Sequence, residues 1–336
     1  MTAYIFKIIT LLGGLSLFLF GISILYTITG HLLMANIHES VAALAASGEY
    51  KIPLTIVVAM VTVGLALKSA LYPFEKWLPG TYSNATPTVA AMLSSLVSKG
   101  YIFLLIKFYV RVIGFDVICD MGILDILFIL GMLGMIMGSV SAVRAKTTRL
   151  MIAYSSVAQI GYIYAGLGLG VHAGYVAAIF HMVMHAFAKS ALFMSATALS
   201  DVSGDSKRFS DLRGAGFRAP VCGAAFTIGA CSIVGIPLLG GFASKLYLSS
   251  ACLSMDRTSA ILSLVVLAIS TALNAAYFMI TVVTLYMKPS HEYHTRLNHP
   301  KISTAALAMF SVLLLLLGIF APQIMRITEN GVLLFI

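Results

Sequence analysis

Apolar residues in this 336-residue chain run in stretches that polar loops interrupt only briefly. Nine stretches are predicted to be membrane spans: about 4–30, 52–86, 87–112, 119–143, 149–170, 173–199, 217–253, 259–287 and 302–322. Each reaches the ~20 residues that cross ~30 Å of hydrocarbon. The 52–86 stretch contains Pro73 and Pro79, and the 217–253 stretch contains Gly235-Ile-Pro-Leu-Leu-Gly-Gly241. Proline removes a backbone donor and clashes with the preceding turn, so both spans are expected to break. A break at membrane depth is tolerated only against protein or a water-filled cavity. The pattern predicts an all-α polytopic membrane protein with about nine spans, two of them broken helices. A β-barrel is excluded, because its strands alternate over ~10 residues. The first stretch is longer than a signal-peptide core and lacks a convincing cleavage site, so it is read as a span. No linker divides the chain, and residues 1–336 form a single membrane domain.

Composition agrees: 60% of residues are hydrophobic and only 10% charged, against ~25% charged in soluble domains. A net charge of +9 would suit nucleic acid, but the cations sit in short clusters between apolar runs. That is the positive-inside signature, and nucleic acid is not an expected partner. With the N-terminus cytoplasmic, the inner segments hold Lys7, Lys76, Arg144, Lys146, Arg149, Lys207, Arg208, Arg213, Arg218, Lys288, Arg296 and Lys301. The outer segments hold Lys51, Arg111, Arg257 and Arg326. Cys119, Cys222, Cys231 and Cys252 have no metal or disulfide spacing and are read as packing residues.

Five lysines remain, inside spans: Lys68, Lys99, Lys107, Lys189 and Lys245. Lys107 lies near a span end and can snorkel. The other four are expensive, at ~2.5–3.5 kcal/mol each near a bilayer centre. His181, His185 and Lys189 are spaced four apart, so on a helix they form one stripe roughly 12 Å long. A zinc protease would place Glu after the first His, where Met182 stands, and no third ligand is evident. A bis-histidine haem needs ligands from opposite sides of the ring. A buried pair satisfied by carbonyls or hydroxyls is the bland alternative, and a proton relay is the favoured one, because desolvated His and Lys titrate near physiological pH. Lys68 and Lys245 each stand beside a predicted break, the arrangement that points to a transport pathway built from repeats. No Gly-rich dinucleotide motif or cysteine cluster is present, so no cofactor, metal or catalytic chemistry is expected in this chain.

Five motifs carry a resemblance: Lys68-Ser-Ala-Leu-Tyr-Pro-Phe-Glu-Lys-Trp-Leu-Pro79, Pro87-Thr-Val-Ala-Ala-Met-Leu-Ser-Ser-Leu-Val-Ser-Lys99, Arg149-Leu-Met-Ile-Ala-Tyr-Ser-Ser-Val-Ala-Gln-Ile-Gly-Tyr162, His181-Met-Val-Met-His185-Ala-Phe-Ala-Lys189-Ser-Ala-Leu-Phe193 and Gly235-Ile-Pro-Leu-Leu-Gly-Gly-Phe-Ala-Ser-Lys245. In this order they resemble the antiporter-like membrane subunits of respiratory complex I, membrane-bound hydrogenases and Mrp Na⁺/H⁺ antiporters. The wording is nearest to the Mrp D-type branch. The resemblance implies two inverted five-helix repeats, each with a broken helix, and a central Lys/His/Glu axis that carries protons. By matching positions, Lys68 is the broken-helix lysine of the first repeat and Lys99 its central-axis lysine. His181, His185 and Lys189 form the second repeat's relay, and Lys245 is its broken-helix lysine. Glu75, Arg149 and Tyr154 are accessory candidates. Arg149 also serves as a topology determinant, with a structural or subunit-contact role open.

The nine spans match the family's sixth to fourteenth. The expectation is a remnant first repeat over 1–113, a complete second repeat over 119–287, and a C-terminal span over 288–336. The glutamate that pairs with the first broken-helix lysine is then absent. Of the five glutamates, Glu39, Glu49, Glu75, Glu292 and Glu329, none is mid-span. Glu75 is a poor substitute, ~10 Å of helix from Lys68. The resemblance implies partner membrane subunits, one of them supplying the missing helices, with H⁺ and in the antiporter case Na⁺ as the ions moved. It also implies the bacterial inner membrane as the location. Two rivals stand: a proton-pumping subunit of a complex I-like NADH:quinone oxidoreductase or hydrogenase, and a truncated assembly subunit without transport.

Overall fold

The computed structural model describes residues 2–48, 50–289 and 301–335, with side chains from residue 12. Arg296, Glu49 and Glu292, and the side chains of Lys7 and Lys301, lie outside the described residues. The described residues are helical, without a β-strand. Seven helices are long and apolar enough to cross a membrane, or eight when one bent pair counts as a single span.

The chain opens with α1 (Thr2–Thr29), α2 (Met34–Ser47) and α3 (Lys51–Ser69). Residues 31–51 were expected to be a loop, yet α2 forms there, closed by Gly48 in the left-handed region at φ 74°. Its buried positions are only Ile37 and Val41, four apart, too sparse a stripe to stand out among longer apolar runs. Then come the short α4 (Trp77–Asn84) and the long α5 (Pro87–Ile113), which carries π-turns at Leu93–Val97 and Tyr109–Ile113. Next are α6 (Phe115–Asp120), α7 (Ile123–Val143), α8 (Thr148–Gly168) and α9 (His172–Asp201). After a connection with two single-turn helices follow α10 (Pro220–Val234), α11 (Gly240–Cys252), α12 (Arg257–Leu285), α13 (Lys301–Ile319) and α14 (Ala321–Phe335).

Both predicted interruptions are present. α3 stops at Ala70, which adopts φ 63°, and the chain turns through Pro73 before α4 begins. The Trp77 indole N–H donates to the Leu67 carbonyl at 2.9 Å, which serves an acceptor near the broken helix end. α10 stops at Gly235, φ 91°, and α11 resumes at Gly240. These halves have 15 and 13 residues. Neither spans a bilayer alone. The last predicted span ends with α13, and the chain bends by 82° there, from Ser303–Ile319 into Ala321–Leu333 of α14.

α8 and α9 form the centre. Within their most apolar windows 89% and 78% of residues are buried, against 33% for α12. Polar side chains explain the order, because a helix carrying Ser, Gln, His and Lys along one face is poorly suited to lipid. α7 packs tightly on α8 through Gly131, Gly134 and Gly138, opposite Ala158, Gly161 and Ala165, and Gly168 of α8 meets the Phe128 backbone. Small residues let the backbones approach closely where no hydrophobic effect drives helices together in lipid.

Candidate functional site

α8 and α9 run antiparallel with a steady register. The Tyr162 ring stacks on His181 at 5.3 Å between centroids, and the Lys189 ammonium donates to the Ile152 carbonyl at 2.8 Å. Ser155, Gln159 and Tyr162, spaced at four and three, share a face of α8. All three are buried, as are His181, His185 and Lys189 opposite them.

Lys189 is fully buried and also donates to the Ser155 hydroxyl, with the Phe278 ring 5.9 Å below its ammonium. One turn away is His185, whose two ring nitrogens have no protein partner. His181 follows, its ring 6.2 Å from His185, with Nδ1 bonded to the Ser244 hydroxyl at 2.9 Å. Ser244 precedes Lys245 on α11. The Lys245 ammonium lies over the Tyr162 ring at 5.2 Å and donates to the Val234 carbonyl at 2.9 Å. This lysine therefore caps the end of α10, where a helix leaves carbonyls exposed and a positive charge is favoured. The second break holds its lysine by that contact.

Lys99 enters from α5. The π-turn at Leu93–Val97 frees the Ser94 carbonyl from the regular ladder, and the Lys99 ammonium donates to it. The Ser94 hydroxyl reaches Ser156 of α8 at 3.4 Å, which joins the turn holding Lys99 to the central helix beside Ser155. Five of the six predicted residues thus converge: Lys99, His181, His185, Lys189 and Lys245.

Lys68 stands apart. It occupies the last turn of α3, half-buried, with its stem near Gly14 of α1 and no ion pair or hydrogen bond among the described residues. Glu75 lies in the turn after the first break, half-buried, with Oε2 unpartnered. Arg149 is buried at the start of α8 and donates to the Tyr82 carbonyl at 3.4 Å and to the Ala85 carbonyl. It closes the end of α4 and ties the first break to the central helix. Tyr154 packs against the apolar core, one position off the face of Ser155 and Gln159.

A second polar group had not been singled out. On α12, Ser270, Asn274 and Tyr277 fall on one buried stripe. Ser139 of α7 bonds to Ser270 at 3.0 Å and to Asn274 Oδ1 at 3.4 Å, and the Tyr277 hydroxyl donates to that same Oδ1. The signal was in the sequence: polar residues four and three apart on an apolar span.

Among the described residues no group of His, Cys, Asp and Glu could hold a metal ion. The site is instead a file of buried bases and hydroxyls, suited to holding and passing protons. Its unpartnered atoms, including both ends of the Gln159 amide, His181 Nε2, both His185 nitrogens and Asn274 Nδ2, lie along that file. Buried polar groups left without protein partners call for ordered water.

The profile of the family described as NADH:quinone oxidoreductase/Mrp antiporter, TM, matches residues 2–271. The chain belongs to this family. NADH-quinone oxidoreductase subunit N of Desulforudis audaxviator is 31% identical over 323 residues, covering 91% of this chain and 62% of that protein. The chain spans about three fifths of the curated relatives it matches. A chain of the Mrp complex from Dietzia sp. DQ12-45-1b superposes with a TM-score of 0.85 at 23% identity, covering 99% of this chain and 68% of that one. A chain of a membrane-bound sulfane sulfur reductase, an archaeal respiratory membrane complex, gives 0.83 at 26% identity, covering 97% and 64%. The chain is an antiporter-like integral membrane protein of this family, with several apolar spans.

Proposed function

We propose that this chain is a proton-translocating subunit of a multi-subunit membrane assembly, moving protons along Lys99, Lys189, His185, His181 and Lys245. The observation that carries it is the set of buried bases held between α5 and α11, flanked by polar atoms without protein partners. Burying three lysines and two histidines along one file, without an acid beside them among the described residues, is expensive, and a purely structural role would be filled better by apolar side chains. Protons would hop through water and these bases as neighbouring charges change.

We take the two half-helix pairs as single crossings, giving nine spans with the N-terminus cytoplasmic, as the positive loops favour. In the same proposal 1–113 is part of a first repeat and 119–287 a complete second one. Lys68 then finds its acid in residues beyond this stretch, on the same or a companion polypeptide. The Mrp-type cation/H⁺ antiporter reading is supported by the fold shared with the Mrp complex. The redox-driven reading is supported by relatives named NADH-quinone oxidoreductase subunit N. The test is Lys189→Ala, with proton flux measured in membrane vesicles containing the assembled complex. Flux should fall at least tenfold, and unchanged flux refutes the relay. Co-purifying redox subunits would select the second reading, and small cation-antiporter subunits the first.

A further inference from the structure

Three cavities adjoin one another around the end of α5 nearest Gly114. The middle one, about 570 Å³, is lined by Lys107 and Arg111 of α5 and by Met34, His38 and Glu39 of α2. α2 is seated on this helix end: Ile37 and Val41 are buried, and the His38 ring lies against Gly114, where an added Cβ would meet it at 3.3 Å. To one side is a mostly apolar groove of about 230 Å³ between Phe103, Ile106 and Val110 of α5, Tyr175 and Ile179 of α9, and Val332 of α14. To the other is a second groove, about 250 Å³, between Leu104 and Phe108 of α5, Phe18, Ile22 and Leu25 of α1, and Met34. Val110 borders both the first groove and the polar cavity, and Met34 borders both the second groove and the polar cavity.

Helical spacing accounts for the arrangement. Phe103, Ile106 and Val110 share one stripe of α5, Leu104, Phe108 and Val112 share another, and Lys107 and Arg111 stand between them. Polarity changes along the helix as well. Both cations lie in its last two turns, whereas the apolar lining reaches back to Phe103, roughly 10 Å from Val110. The polar cavity sets the charges of Lys107 and Arg111 against the single carboxylate of Glu39, an excess of positive charge. One partner helix could fill one groove or the other, because α5 separates them. A molecule with one charged head and two apolar chains fits both.

We propose that this end of α5 is a binding site for one anionic diacyl phospholipid. Lys107 and Arg111 hold its phosphate, and its two chains straddle α5, one in each groove. A lipid with one net negative charge balances the cavity, whereas a zwitterionic lipid leaves its positive excess in place. Basic pockets between membrane helices take anionic headgroups for the same reason. The lipid would also tie α1, α2, α9 and α14 to α5, since all four line the cavities it fills.

The test is native mass spectrometry of the assembled complex in detergent, titrated with phosphatidylglycerol or with phosphatidylethanolamine carrying the same chains. Phosphatidylglycerol should bind the more tightly. The double variant Lys107→Gln/Arg111→Gln should weaken its binding roughly thirtyfold, the loss expected for two cations at a membrane surface. Ile179→Trp and Leu104→Trp each fill one groove from a half-buried position. Each should weaken binding roughly tenfold, as about two chain methylenes lose their seat. Lys51→Gln/Arg257→Gln removes two cations from other helix ends and should leave the affinity unchanged. The glutamine pairs change exposed or half-buried side chains only, so they decide the matter if a tryptophan variant fails to assemble. Equal affinity for the two lipids, or an equal loss in the Lys51/Arg257 pair, overturns the headgroup site. Unchanged binding in both tryptophan variants overturns the seating of the chains astride α5. A complex that retains no lipid there, its grooves filled by a neighbouring subunit, overturns the proposal outright.

Discussion

Replacing glycine by alanine at two helical positions should have opposite effects, for reasons visible in the packing of α7 on α8. A Cβ at Gly161 would lie 2.6 Å from both the Gly131 carbonyl oxygen and the Met135 nitrogen. Ordinary contact begins at 3.4 Å, so the helices must part by about 0.8 Å (3.4 less 2.6). Both obstacles are backbone, and no flexible side chain can give way. Overpacking of this kind costs about 1–3 kcal/mol, offset by roughly 1 kcal/mol because alanine is the better helix former. At Gly100 of α5 a Cβ meets nothing within 4 Å, so only the propensity gain of up to about 1 kcal/mol remains. The two variants should therefore differ by about 1–3 kcal/mol, with Gly161→Ala the less stable. Denaturant or thermal unfolding of the purified protein in one detergent measures this directly. Gly161→Ala should also lower proton flux, since Ser155, Gln159 and Tyr162 ride on the displaced helix. If both variants shift the unfolding midpoint in the same direction by the same amount, the close-packing explanation is wrong.

One nitrogen of Arg149, Nη2, donates to both the Tyr82 and Ala85 carbonyls, and Arg149→Lys keeps the charge on a side chain one bond shorter, whose ammonium falls short of them. Stability should fall by about 1–3 kcal/mol, and limited proteolysis should cut more readily between residues 70 and 86. At the start of α12 the Asp256 carboxylate accepts from the Ser259 and Thr258 backbone N–H groups at 3.0 and 3.1 Å. Those bonds, Ser259's first, hold its carboxyl below the ordinary aspartate range. The sign follows: a lowered folded-state value gives stability that is present above the unfolded pKa and lost as pH falls through the lowered one. Unfolding midpoints of wild type and Asp256→Ala should thus differ at neutral pH and converge in acid, and a constant gap across pH would refute the cap.

Much of the candidate site could be read along the chain because its residues are anomalous there. A lysine or histidine in an apolar span stands out whatever surrounds it, which is why Lys99, His181, His185, Lys189 and Lys245 were found. Asn274 and Tyr277 were missed because neutral polar residues are common in membrane helices, and only their contacts with each other and with Ser139 of α7 gather them into a group. α2 was missed because a short helix with two buried positions leaves almost no pattern.

Hydrophobic runs, proline and glycine by themselves determined that this is a helical membrane protein with two interrupted spans. Those features follow from local rules: lipid excludes unpaired backbone groups, and proline cannot continue a helix. Only tertiary structure decided what each buried cation touches. It put Lys245 on the end of α10, Lys99 on the carbonyl freed by a π-turn, and Arg149 on the end of α4. It also left Lys68 apart from the file that Lys99, Lys189, Lys245 and the two histidines share. The physical reason is that partners for a charge come from other helices, and which helices meet is set by small residues such as Gly131 and Gly161, whose meaning appears only once the backbones are in contact.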